Sequence, residues 1–114
     1  MSELSFAKRS AGGLKIVETT VVIPSVYSGH SAVILTGSVD KSYLVLVSQN
    51  GVAPAVETAN TICVCRYGQK AYAHDYDNGV VYGRYSVYLG SDGNLCVGAM
   101  TGGGETVNVR AIEL

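Results

Sequence analysis

The chain has 114 residues, room for one compact domain built on one hydrophobic core. At 47% hydrophobic and 15% charged, against a globular norm of roughly 25% charged, it is too apolar for a disordered linker and too small for a multi-domain enzyme. Eight Lys and Arg against nine Asp and Glu leave a net charge of −1, so no strong field gathers nucleic acid or anionic lipid, and self-association meets little repulsion.

Residues 1–13 read as a flexible N-terminal arm, ahead of a β-rich domain over residues 14–114. Leu4 and Phe6, the one Phe of the chain, precede Lys8 and Arg9, and Ala11-Gly12-Gly13 makes a hinge. The arm lacks the apolar core of roughly 7–15 residues that marks a secretory signal, so the expected place of synthesis is a cytoplasm. Three Cys, an odd set, agree with a reducing compartment. The uncharged stretch from Thr19 to Val39 holds Pro24, Gly29, His30 and Gly37 and is β-branched rather than Leu-rich, so it reads as strands and not as a membrane helix.

Strand-like runs follow at residues 14–23, 31–36, 43–48 and 51–56, each bounded by turn residues. Asn50-Gly51 suits a type I′ turn closing a hairpin between residues 43–47 and the segment after it, in which Pro54 permits only a short or edge strand. Glu57-Thr58-Ala59-Asn60 is the one expected helical turn. Thr61 to Tyr67 alternates with Ile62, Val64 and Arg66 on one side and Cys63, Cys65 and Tyr67 on the other, and its apolar faces argue for an inner strand. His74 to Gly79 reads as a loop, followed by strands at 80–82 and 85–89, a tight turn at Gly90-Ser91-Asp92-Gly93, and a strand at 94–97. After Gly102 to Gly104, residues 105–112 form a last strand with Val107, Val109 and Ala111 on one face. Short strands with turns every roughly 8–12 residues predict an all-β fold, a small single-domain barrel or sandwich.

Chemical constellations are few. Cys63 and Cys65 share one strand face and would chelate a soft metal only with Cys96 and a His such as His74, but this is not the spacing of a zinc knuckle, and two buried small hydrophobes are the simpler reading. His74-Asp75-Tyr76-Asp77-Asn78-Gly79 has the alternating oxygens of a calcium loop without the closing Glu, and reads as a solvated turn. There is no nucleophile elbow and no phosphate-binding loop. No enzyme, metal or cofactor is expected.

Two features point to binding. Six of the eight Tyr fall at Tyr67, Tyr72, Tyr76, Tyr82, Tyr85 and Tyr88; Tyr offers stiff contact area with a polar tip, so Tyr72, Tyr76, Tyr82, Tyr85 and Tyr88 are candidates for a subunit or partner interface, with ordinary cross-strand packing as the alternative. An extended arm carrying Leu4, Phe6, Lys8 and Arg9 can add as a strand to an open sheet edge, with a frayed terminus as the alternative.

The run Ser28-Gly29-His30-Ser31-Ala32-Val33-Ile34-Leu35-Thr36-Gly37-Ser38-Val39, its following Leu-Val-Leu-Val strand and Asn50-Gly51-Val52-Ala53-Pro54 resemble the small β-rich head decoration, or capsid cement, proteins of tailed bacteriophages. Tyr85-Ser86-Val87-Tyr88-Leu89-Gly90-Ser91-Asp92-Gly93-Asn94-Leu95 is similar to a strand, turn and strand near the end of such proteins. The resemblance implies a non-enzymatic structural virion protein on the capsid exterior that binds the major capsid protein as a homotrimer and stabilises the shell by clamping adjacent subunits, with the arm reaching onto the capsid. It implies no nucleic acid, membrane or small-molecule substrate. A tail- or fibre-associated β-module, binding another virion protein or a host receptor, has the same composition and would use loops such as residues 74–79.

Overall fold

The structure, a computed structural model, describes residues 7–9, 15–24, 31–68, 71–72, 74–75, 85–99 and 104–114. Val, Ile, Thr and Tyr fill its strands at alternating positions, the pattern that buries one face of a pleated sheet. The described residues form ten strands: β1 (Ala7–Arg9), β2 (Lys15–Ile23), β3 (Ala32–Thr36), β4 (Ser42–Gln49), β5 (Thr61–Arg66), β6 (Ala71–Tyr72), β7 (His74–Asp75), β8 (Tyr85–Leu89), β9 (Asn94–Ala99) and β10 (Glu105–Glu113).

They form two antiparallel sheets, one of six strands in the order β1-β2-β10-β4-β5-β7 and one of four in the order β3-β9-β8-β6. Ile23, Tyr43, Val45, Val47, Cys65, Val107, Val109 and Ala111 from the first sheet meet Ile34, Tyr85, Val87, Leu89, Leu95 and Val97 from the second in a single core. Of the two expected architectures the described strands build the sandwich; among the described residues nothing closes the sheets into a barrel. Each fully buried Val or Leu here contributes about 1.5–3 kcal/mol. The expected face of the last strand is the buried one, since Val107, Val109 and Ala111 all lie in the core. A register shift between Val33 and Leu35, where β3 pairs β9, lets Ile34 and Leu35 both pack toward it.

Four local expectations are corrected. Residues 51–56 form no strand: Val52 N–H donates to the Gln49 carbonyl at 3.0 Å with Gly51 at φ 83°, and the chain then loops outward. Pro54 has no N–H for a ladder, while Ser48 Oγ and Thr58 Oγ1 donate to the Val52 and Ala53 carbonyls that a strand would have used. The hairpin partner of β4 is therefore β5, from Val47 opposite Thr61 to Ser42 opposite Arg66. The expected helical turn starts earlier, with Ala59 N–H on the Ala55 carbonyl at 2.7 Å.

The second concerns β5, expected as an inner strand: β4 pairs all of it, and among the described residues its far side pairs only at Thr61 and Ile62, with β7. Val64, opposite Leu44 on the side of the sheet away from the core, is 57% exposed. The third is that His74 and Asp75 are strand, not loop, held opposite Ile62 and Thr61. The fourth is Tyr85, expected as an interface candidate and wholly buried in the core. In the arm, Ala7–Arg9 lie as β1 on the chain's own β2, Ala7 opposite Val17 and Arg9 opposite Lys15. The expected hinge at residues 11–13 and the strand at 80–82 lie outside the described residues.

Candidate functional site

The candidate arm residues divide between two situations. Lys8 and Arg9 occupy register positions opposite Ile16 and Lys15 on the margin of the six-stranded sheet. Leu4 and Phe6 lie outside the described residues, as do Tyr76 and Tyr82. Tyr72 stands in β6 opposite Ser86, at the margin of the four-stranded sheet.

Tyr85 is wholly buried and is not an interface residue on this chain's surface. Alternation explains it: Tyr85, Val87 and Leu89 share the inward side of β8, as their common face in the sequence implies, and the Tyr85 hydroxyl reaches Glu105 Oε2 at 2.5 Å. Tyr88, one position out of phase, is 42% exposed on the outer side, where its hydroxyl shares a 2.5 Å hydrogen bond with Ser31 Oγ. It stands opposite Cys96, which in turn stands opposite Val33 on β3.

The cysteines do not converge on a metal. Cys63, Cys65 and Cys96 are free thiols, and no group of three His, Cys, Asp or Glu among the described residues can hold an ion. Burial pushes the Cys63 thiol up to about 12, with the neighbouring Cys65 adding to the effect. Burial likewise raises Cys65 and Cys96. These thiols stay protonated at neutral pH, which makes them poor nucleophiles and poor ligands. The raised folded value also fixes the sign of a pH effect. Cys63 supports the fold while the unfolded thiol is neutral, and that support is lost as pH rises from about 9 through about 12. Thermal unfolding of the wild type is therefore expected to be flat up to about pH 8.5 and to decline above it, more steeply than in Cys63→Ala. Equal slopes would remove Cys63 as the cause.

The larger surface feature is one that sequence reasoning missed. On the outer side of the six-stranded sheet, the pairing registers set Ile16 opposite Ile112, Ile112 opposite Leu44 and Leu44 opposite Val64, an apolar row across β2, β10, β4 and β5. The same row begins at Lys8 on β1. One step along the strands runs a second row, Glu18, Arg110, Leu46 and Ile62, in which Arg110 pairs with Glu18. In the third row the loop of residues 50–60 folds over the face: Ser48 Oγ and Asn108 Nδ2 both donate to the Val52 carbonyl. Ser48 and Leu46 are consequently buried although they point away from the core, while Val64 and, at the sheet end, Leu114 remain exposed. The signal in the sequence was the apolar residue at both alternations of these strands, which reads equally as burial on two faces or as one uncovered apolar face.

A concavity of about 340 Å³ opens beside the same loop, lined by Gln49, Val52, Val56, Glu57, Thr58, Ala59 and Asn60, with Glu57 as its one ionisable residue. It sets no acid beside a base. Among the described residues no helix is long and apolar enough to cross a membrane. In comparisons with known proteins, no family model, no curated protein and no solved structure matches the chain.

Proposed function

We propose that this protein is a non-enzymatic structural component of a bacteriophage virion, which binds the outer surface of the capsid as a homotrimer and stabilises the shell by clamping adjacent major capsid subunits. The observation that supports this reading most is the outer face of the six-stranded sheet, where Ile16, Ile112, Leu44 and Val64 form an apolar row beside a self-neutralised Glu18–Arg110 pair. A face of that kind gains by burying apolar area at about 25 cal/mol per Å² and carries no field that would select a highly charged partner. The resemblance to decoration proteins supplies the shell as the partner, and the arm supplies a second point of attachment. Three copies joined in one trimer would engage repeated capsid subunits together, so shallow individual contacts add up to firm retention.

The test is co-sedimentation of the purified protein with mature capsids that lack it. Saturation at a fixed ratio to the major capsid protein is expected. Absence of saturable binding overturns the reading and leaves the tail- or fibre-associated module, which saturable binding to host cells or to tails would then establish.

A further inference from the structure

The two edges of β2 differ. On one side β10 pairs all nine of its residues, from Glu105 opposite Ile23 to Glu113 opposite Lys15. On the other, β1 pairs Lys15, Ile16 and Val17, and among the described residues nothing pairs residues 18–23. In an antiparallel strand every second residue turns both its N–H and its C=O to the same side, so this stretch directs a row of donors and acceptors away from β10.

The register says which segment fits there. With Ala7 opposite Val17, one further step toward the N-terminus brings Phe6 opposite Glu18, and the same antiparallel count brings Leu4 opposite Thr20 and Ser2 opposite Val22. By this count the six residues that precede Ala7 match residues 18–23 of β2, which ends at Ile23, just before Pro24. Side-chain parity is also specified. Val22 is 67% exposed and Glu18 and Thr20 are exposed on the outer face, so partners opposite them fall on that face too. Directly beside Glu18 and Thr20 lies an open groove of about 190 Å³, lined also by Thr19, Pro54, Asn108 and Val109. Leu4 and Phe6 are the two large apolar residues that this register delivers to its rim. On the inner side it delivers the small Ser5, with Glu3 as an inward charge of the kind that guards sheet edges.

We propose that residues 18–23 of β2 are the acceptor edge for residues 1–6 of the same chain, which extend β1 into a strand matching the full length of β2 and set Leu4 and Phe6 on the outer face beside the Pro54 groove. The occupant is the chain's own segment because β1 already leads into this edge in register, so no further loop has to be ordered to reach it. The extended strand joins the arm residues to the row of Ile16, Ile112, Leu44 and Val64 as one continuous surface. The pairing itself stands apart from the capsid reading, since it is a property of the isolated protein.

Amide hydrogen exchange followed by NMR tests it, with the full chain compared with a chain lacking residues 1–6 and with Leu4→Pro, which keeps the length but cannot donate at that position. In the full chain the alternate amides of residues 18–23 that point away from β10 are expected to exchange at least about tenfold more slowly than in either variant, while amides bonded to β10 are unchanged. The protection is expected to be independent of protein concentration. Equal exchange in all three chains overturns the proposal, and so does protection that grows with concentration, which would make a second copy the occupant. Capsid co-sedimentation is a separate readout, so loss of the shell reading leaves this result standing.

Discussion

Gly37→Ala is expected to destabilise the protein by about 3 kcal/mol. A Cβ at this position would stand 2.1 Å from the Tyr43 hydroxyl oxygen and 2.7 Å from its Cζ. Tyr43 cannot swing aside, because it is wholly buried and its hydroxyl accepts the Ser38 N–H at 2.9 Å while donating to Glu113 Oε2 at 3.1 Å. The backbone cannot retreat either: Gly37 N–H donates to the Gly93 carbonyl at 2.8 Å, and Gly93, at φ 87°, lies so close that its own Cβ would meet the Gly37 carbonyl oxygen at 2.7 Å. The new methyl therefore forces out either the ring or its two hydrogen bonds, and both lie at the point where the two sheets meet. Thermal unfolding of Gly37→Ala, Tyr43→Phe and the double variant separates these contributions. Removal of the hydroxyl relieves the tightest overlap, so Gly37→Ala is expected to cost less in the Tyr43→Phe background. An equal cost in both backgrounds would show that the hydroxyl is not what resists the methyl.

The second large effect concerns attachment rather than stability. Val64→Asp places a charge in the apolar row at its most exposed member, 57% accessible, so unfolding is expected to shift by less than about 1 kcal/mol. Capsid binding is expected to weaken at least about tenfold, because a carboxylate buried in an apolar contact without a partner loses its hydration. Val33→Asp is the matched control: it is 49% exposed on the outer side of the other sheet and is expected to leave binding unchanged. If Val33→Asp releases the protein and Val64→Asp does not, the four-stranded sheet is the binding face and the assignment made here fails.

What the sequence made legible was alternation wherever one face is buried. Val107, Val109 and Ala111 declared the inner side of β10, and Tyr85, Val87 and Leu89 declared a common face of β8, because a period of two leaves no other arrangement of those side chains. Alternation does not say which of two apolar faces is covered. Tyr85 was therefore grouped with candidate interface tyrosines although it lies in the core, and the apolar faces of residues 61–67 argued for an inner strand although Val64 is exposed. At Asn50-Gly51 the expected turn forms, but the strand expected after it does not, for a different reason. The residues suit a tight hairpin, but Ser48, Thr58 and Asn108 bind the carbonyls of the following segment, and those partners come from as far away as β10. The apolar row has the same origin. Ile16, Leu44, Val64 and Ile112 lie far apart in sequence, and only the strand order makes them neighbours.

That strand order also governs how the protein is made. β10 separates β2 from β4 and bonds to both, so the two earlier strands do not touch through their own ladders. While the chain emerges from the ribosome, β2 and β4 wait with unpaired margins until residue 113 is free, and the six-stranded sheet assembles only then. Assembly of the six-stranded sheet is consequently held back until β10 has emerged, and a ribosome stalled before that strand would hold a chain with its central pairing surface still empty.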